Sequence, residues 1–451
     1  MRSVISSRPT YTTVGAPEID DNPLLAHLQL PPDNDREAYL RLALKPKYSD
    51  DQRELPNSIR RLKINQLRKF YAPVLQTHRR ALIEISSQIF EGYIPRNPLT
   101  AEGQRFLHGG PTASSVKPTI SFIAGHSGMG KSTLIDRIAA HLGPQVIQHE
   151  QFRASVFPES QLLWLRRNVP EHCTVRTLCA SFGDYVDSVL GVDLYRGIFS
   201  SFRGKGGDRN LYISQIRKII SNHHVGALIL DEFQNLSLMG VGADKIIAFL
   251  VALRDELGIP IVVVGTYKSL RLLEKDLSTA RRLVEGGYFD LERPTSAADS
   301  NWQELCQIAW KYQWTRESID LSDAITEALY DVSQGITGIM LTSLISAQLA
   351  AIECGVERVD ADLILKVFKE RMQPLHPAVR ALQSGSHTLI EKFDDIYKSS
   401  YPRADRIIDS PNINTLTAEH LTSRGKASPS KPKEKTLSPE QIKSMVLENS
   451  E

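Results

Sequence analysis

The stretch 125-GHSGMGKSTLI-135 constrains this chain more than any other. It fits the pattern GxxxxGKS. It follows a short apolar run, 119-TISFIA-124, and opens an amphipathic run over residues 131–142. A glycine-rich loop between a buried strand and a helix lets backbone N–H groups and the helix N-terminus close on phosphate. That context is what the motif requires. Gly125, His126, Ser127, Gly128, Met129, Gly130, Lys131, Ser132 and Thr133 are therefore the expected nucleotide loop. Lys131 is expected to reach the β- and γ-phosphates, and Ser132 to offer its hydroxyl to magnesium.

Such a loop needs an acid on a neighbouring strand. The run 227-ALILDE-232 supplies two. Asp231 is expected to hold the metal through water. Glu232 is expected to act as general base on the attacking water. A third run, 161-QLLWLRRNV-169, intervenes and reads as one strand, and 260-PIVVVG-265 follows as another. Helical patterns fill the gaps at 174–200 and 242–257. Short, continuous apolar runs suit a parallel sheet buried on both faces. Alternating strands and helices make the class α/β. Glu directly after Asp points to the ATPase branch that uses a catalytic glutamate. Thr266, at the end of the 260–265 run, reads either as a contact to the γ-phosphate or as a helix cap. Arg281 and Arg282 read either as an arginine finger for a neighbouring subunit or as a solvated helix face.

The flanks differ in character. Residues 1–35 are rich in Pro, Asp and Asn and read as extended or loosely ordered. Between Ile59 and Arg80 there are seven cations and no acid. That basic helical stretch suits DNA, an acidic partner or plain solvation, with Leu62, Leu67, Phe70 and Leu75 on its buried side. After about Glu292 the strands stop, and residues 299–372 read as an all-helical domain with Trp302, Trp310 and Trp314 in its core. From about Thr422 the chain is polar with repeated Pro, ending in a short helical pattern, EQIKSMVLE. The expected division is 1–92 extension, 93–292 ATPase core, 293–375 helical lid and 376–451 C-terminal extension and tail.

Net charge is only +2, so global charge does not announce nucleic acid, and any basic patch has to be local. The candidates are Arg203, Lys205 and Arg209 on the Gly-rich 202-FRGKGGDRN-210, with Arg166 and Arg167 as a second set. The first set also reads as a solvated loop, and one of the second as the partner of an acid. No aromatic-plus-basic base-reading motif is present, so any nucleic-acid contact is expected to be to phosphates, with little sequence preference. Four scattered cysteines without metal-ligand spacing read as reduced thiols. No apolar run reaches the length of a membrane span, and no signal core opens the chain. The expectation is a cytoplasmic protein without a membrane association.

Several stretches together carry a resemblance: GYIPRNPLT before the core, GHSGMGKST, QLLWLRRNVPEHCTVRTLCASF, LDEFQNLS, VVVGTYKSL, STARRLVEGG, WKYQWT and LYDVSQGITGIMLTSLISAQLAAIECGVE. The chain resembles the TniB/TnsC family of AAA+ ATPase regulators of Tn7-like transposons, from about Gly92 to about Glu370. The resemblance implies ATP and Mg2+ as cofactors. It implies rings or filaments on double-stranded DNA that link a transposase to a target-selection protein or RNA-guided complex, with hydrolysis limiting the assembly. It makes Thr266 sensor 1, favours a finger at Arg281 or Arg282, and sets Tyr93, Ile94 and Arg96 on the adenine side. One departure is visible: Ser333-Gln334-Gly335-Ile336 lacks the arginine that many AAA+ proteins carry at the start of a lid helix. Two other readings stay open, a replication-type AAA+ loader and a nucleotide-binding scaffold without significant hydrolysis.

Overall fold

Five parallel strands build the central sheet: β1 (Ile120–Gly125), β2 (Trp164–Asn168), β3 (Ala227–Asp231), β4 (Ile261–Gly265) and β5 (Tyr288–Leu291), in the order β5-β1-β4-β3-β2. The computed structural model describes residues 6–109, 118–171, 173–200, 209–236, 241–272, 277–390 and 393. Residues 401–451 are not among them, so the expected tail helix lies outside the described residues.

The central strands β1, β3 and β4 become this sheet because they are buried on both faces, whereas the edge strands β2 and β5 alternate buried and partly exposed residues. Residues alternate sides along a strand, and β3 shows the result. Leu228 and Leu230 join one buried cluster, and Ala227 and Ile229 join the other. Register aligns the C-terminal ends: Ala124 pairs with Gly265, Gly125 with Leu291, Leu230 with Val263 and Asn168 with Asp231. One rim of the sheet therefore gathers the loops that carry the polar residues, the usual place for a ligand in an open parallel sheet.

Of the helices, α1 (Asn57–Ile64) and α2 (Gln76–Tyr93) precede the sheet, and α3 (Lys131–Leu142) follows the glycine loop. Next come α4 (Val175–Leu190), α5 (Val241–Leu257) and α6 (Leu277–Leu283). Helix α4 starts on a Thr174–Thr177 capping box and stops at Gly191, whose φ of 70° ends it. The lid consists of α7 (Ser300–Trp310), α8 (Asp323–Ser333), α9 (Thr337–Glu353) and α10 (Ala361–Arg371). Asp299, Ser322 and Asp360 cap three of them with side-chain oxygens. Trp302, Trp310 and Trp314 are buried in the lid, as their spacing indicates.

Several expectations are corrected. The run 161–169 is two strands in two sheets: Ser160–Leu162 pairs with Val146–Gln148, and β2 begins only at Trp164. The helical stretch 174–200 breaks after Leu190 and resumes at Tyr195. Strand β5 went unread. Within the stretch expected to be loose, residues 22–28 are packed; Leu24 and Leu25 are fully buried in the cluster that includes one face of the sheet. The extension is also not a unit of its own. Ile64, Leu67, Phe70, Ala72 and Val74 belong to the lid's core, while Leu82, Ile85 and Ile89 of α2 belong to the sheet's. Leu62, expected inside, is exposed. No single described helix is long and apolar enough to cross a membrane. All four cysteines are free, three of them buried.

Candidate functional site

The glycine loop turns at the rim between β1 and α3. Gly128 and Gly130 hold φ of 82° and 84°, which only glycine adopts without strain. A cavity of about 400 Å³ opens over the loop. Ser127 to Thr133 line it, together with Asp231, Glu232, Gln234 and Thr266. Gly125 and His126, also expected in the loop, do not line it. Gly125 backs onto Leu291 of β5, and the His126 ring packs edge-on against Tyr267. The Lys131 ammonium donates to the Gly125 and His126 carbonyls at 3.0 and 2.9 Å, which fastens it across the loop.

Asp231 sits 3% exposed at the end of β3. Its Oδ2 accepts from the Ser132 hydroxyl at 2.9 Å and from Arg166 Nη2 at 2.6 Å; its Oδ1 accepts from the Glu232 N–H at 2.9 Å. A buried carboxylate beside a hydroxyl, at the mouth of a phosphate-sized cradle, is a donor set for a hard divalent cation such as magnesium. The oxygen donors Ser132 and Asp231 fit that metal, and the loop beside them is close-packed: a side chain at Gly128 would meet Ile336 and one at Gly130 would meet Tyr71.

Glu232 holds a left-handed backbone, φ 57°, which is costly for a residue with a side chain. Its carboxylate accepts a hydrogen bond from Gln234 Nε2, and Gln234 Oε1 accepts from the Thr266 N–H at 3.0 Å. Gln234 thus ties the acidic end of β3 to the end of β4. The sequence reading missed it, although it sits inside the quoted LDEFQNLS. The Thr266 hydroxyl is buried without a hydrogen-bond partner among the described residues and lies on the cavity.

Two further walls were also missed. One is the strap 68–78 between α1 and α2, with Phe70, Tyr71, Val74, Leu75 and His78 on the cavity. A two-way backbone bridge between Leu44 and Tyr71 pins it. The strap's signal was its mixed apolar and aromatic content, hidden under the cation count. The other wall is the lid. Gly338 N–H donates to the Gly128 carbonyl at 2.9 Å, so α9 begins on the glycine loop itself. The stretch without the arginine is what makes this contact: Gln334 and Gly335 turn the chain with φ of 52° and 78°, and Ile336 drops onto Gly128.

Other expected site residues lie elsewhere. Tyr93, Ile94 and Arg96 are corrected: they sit at the opposite end of the sheet. Tyr93 donates to the His224 carbonyl at 2.7 Å, Arg96 to the Val225 carbonyl at 2.6 Å, and Ile94 is exposed. Arg166 turns inward onto Asp231, and the Arg167 guanidinium lies over the Tyr185 ring at 5.3 Å. Arg281 and Arg282 are exposed on α6, away from the cavity lining. Arg203 and Lys205 lie outside the described residues, and only the backbone of Arg209 is described, at the start of a helix. Of the seven cations at 59–80, Arg60 is fully buried, and Arg79 and Arg80 bond to backbone carbonyls.

Fold and site define a P-loop nucleotide-binding protein, with a sheet in the order 5-1-4-3-2 and a helical lid. Residues 116–273 match the family model described as an AAA domain. No curated protein matches. Among solved structures, the chain is similar to the Aeropyrum pernix ORC2 protein, at 18% identity and TM-score 0.38, over 66% of this chain and 69% of that one. It is also similar to the Aeropyrum pernix ORC1 protein in complex with DNA, at 16% identity and TM-score 0.39, over 66% of each chain. A third likeness is to the Thermotoga maritima RuvB Holliday junction branch migration motor, at 16% identity and TM-score 0.33, over 59% of this chain and 64% of that one. At these scores none of the three bears on what this chain acts upon.

Proposed function

We propose that this chain binds ATP with magnesium and hydrolyses it as the timer of a DNA-bound assembly that regulates transposition. The observation that carries the nucleotide part is the meeting of Ser132, Asp231, Glu232 and Thr266 at the mouth of one glycine cradle. Bound magnesium supplies charge to the phosphate oxygens. The chain's own residues do the rest. Lys131 exchanges the Gly125 and His126 carbonyls for phosphate, Ser132 and Asp231 hold the metal, and Thr266 meets the γ-phosphate side. Glu232, once released by Gln234, takes the proton of the attacking water.

The assembly part rests on the resemblance to the TniB/TnsC regulators and on the exposure of Arg281 and Arg282, which leaves them able to reach a neighbouring copy. In this reading the output is a platform on double-stranded DNA, held through phosphates, that a transposase and a target selector recognise. A non-hydrolysing scaffold is the second reading, and the hold of Gln234 on Glu232 favours it.

One variant separates the two. Glu232→Gln is expected to bind ATP normally, to lose turnover on the order of a hundredfold or more, and to stay on DNA as a trapped assembly. Unchanged turnover and unchanged DNA residence would leave the scaffold.

A further inference from the structure

Asp231 is expected to serve a metal, yet in this structure its charge is already answered. Arg166 reaches across from the neighbouring edge strand β2 and places Nη2 2.6 Å from Asp231 Oδ2, the same oxygen that receives the Ser132 hydroxyl. A carboxylate this buried needs a counter-charge, and Arg166 pairs with it directly. Its other nitrogen, Nη1, bonds Asp136 on α3. The two carboxylates differ. Asp231's side chain is 5% exposed and Asp136's is 66% exposed, with Arg166 itself at 20% between them. Asp136, Arg166, Arg167, Asn168 and Tyr185 border one surface hollow on the outer side of β2.

We infer that Arg166 is a tethered counterion that competes with the divalent cation for Asp231 and so sets how much magnesium the site requires. The inference rests on the nucleotide reading given above. Without metal, Arg166 neutralises Asp231 and keeps the cradle folded. When the metal occupies the Ser132–Asp231 side, Arg166 gives up Asp231 and keeps Asp136. Because Asp136 already holds its second nitrogen, the exchange leaves neither a buried carboxylate nor a buried guanidinium without a partner. The motion needed is a side-chain swing at a sheet edge, toward solvent, with no repacking of the core.

Two substitutions are therefore expected to act in opposite directions. Removing the competitor, Arg166→Gln, lowers the magnesium requirement. Removing the landing partner, Asp136→Asn, commits Arg166 to Asp231 and raises it. A structural role alone would weaken the site in both variants and give no opposition of sign. Arg166→Lys keeps a cation and is expected to stay near the wild type.

The test uses the full chain and a fluorescent ADP analogue, titrated across a series of free magnesium concentrations. The quantity read is the magnesium concentration at half of the metal-dependent gain in ADP affinity. Arg166→Gln is expected to lower it on the order of tenfold, and Asp136→Asn to raise it several-fold. If Arg166→Gln does not fold, Arg166→Met takes its place as the variant that removes the competing charge, and the opposition of sign is read between it and Asp136→Asn. A midpoint that neither variant moves, or that both move the same way, overturns the role of Arg166 alone. Failure of the wild-type chain to bind ADP at any magnesium concentration overturns the nucleotide reading itself.

Discussion

Arg60 and Glu357 form a two-pronged ion pair, each guanidinium nitrogen 2.7 Å from its carboxylate oxygen, between the helix before the nucleotide strap and the lid. Arg60 has no exposed surface, and it also donates to the Leu55 and Trp314 carbonyls and to Asn57. The bond to Arg60 holds the Glu357 carboxyl below its ordinary range. Extension and lid therefore share one clamp. The strap that follows α1 is fixed to the lid at one end and, through α2, to the sheet at the other. The same strap carries Phe70, Tyr71 and His78 on the wall of the cavity.

Glu357→Ala leaves a buried guanidinium without its carboxylate. Such a loss costs about 3 kcal/mol, read as a lower midpoint in chemical denaturation. The same variant is expected to bind ATP more weakly, because the strap loses its register. Full stability with normal ATP affinity would show that the pair does not clamp.

Gln234→Ala frees the Glu232 carboxylate from its donor and leaves the Thr266 N–H without its acceptor. Basal ATP turnover is expected to rise several-fold with ATP affinity nearly unchanged, measured by steady-state phosphate release. A fall in turnover would mean that Gln234 positions Glu232 for the reaction instead of restraining it.

Gly128→Ala tests the direct contact between loop and lid. A methyl group there would lie 2.9 Å from the Ile336 side chain, on a backbone whose φ of 82° already disfavours it. The strain is about 1–3 kcal/mol, and nucleotide affinity is expected to fall by about tenfold or more. Retained affinity in an equilibrium binding assay would show that the lid gives way without cost.

Acid should weaken the fold through its buried histidines. Burial pushes His78 down to about 3 and His141, His149 and His223 to about 4, from an ordinary 6.5. In the unfolded chain these rings take up protons below pH 6.5, while the folded chain refuses them until about pH 4. The unfolded state thus binds more protons in that window, and stability rises with pH across it, by up to about 1.4 kcal/mol per pH unit for each ring. His78, with neither nitrogen hydrogen-bonded among the described residues, is the cleanest case. His78→Leu is expected to flatten the dependence of unfolding free energy on pH between 4 and 6.5. An unchanged slope would assign the acid sensitivity elsewhere.

Much of the sheet was legible because the three central strands are short apolar runs with a glycine or acid stop, and the motif fixed which ends face the ligand. Helix α3 begins and ends where its periodicity says, since Gly130 and Gly143 bracket it. Two things resisted. Strand β5, Tyr288–Leu291, is only four residues with charged neighbours, too short to stand out before its pairing with β1 is known. Arg60 read as one of seven cations in a basic stretch, and Arg166 as a DNA contact or an acid's partner, because sequence counts cations without showing their partners. Glu357 is 297 residues from Arg60, and Asp231 is 65 from Arg166. The cavity walls supplied by the strap and by α9 come from chain contacts of the same long range.

The central claim, a nucleotide-timed assembly on DNA, is most directly tested by electron microscopy of the full chain with double-stranded DNA, in the presence of a non-hydrolysable ATP analogue, ADP or no nucleotide. The account predicts rings or filaments only where DNA and the ATP analogue are both present, and their loss in a variant with both Arg281→Ala and Arg282→Ala. Isolated single copies under every condition would contradict it.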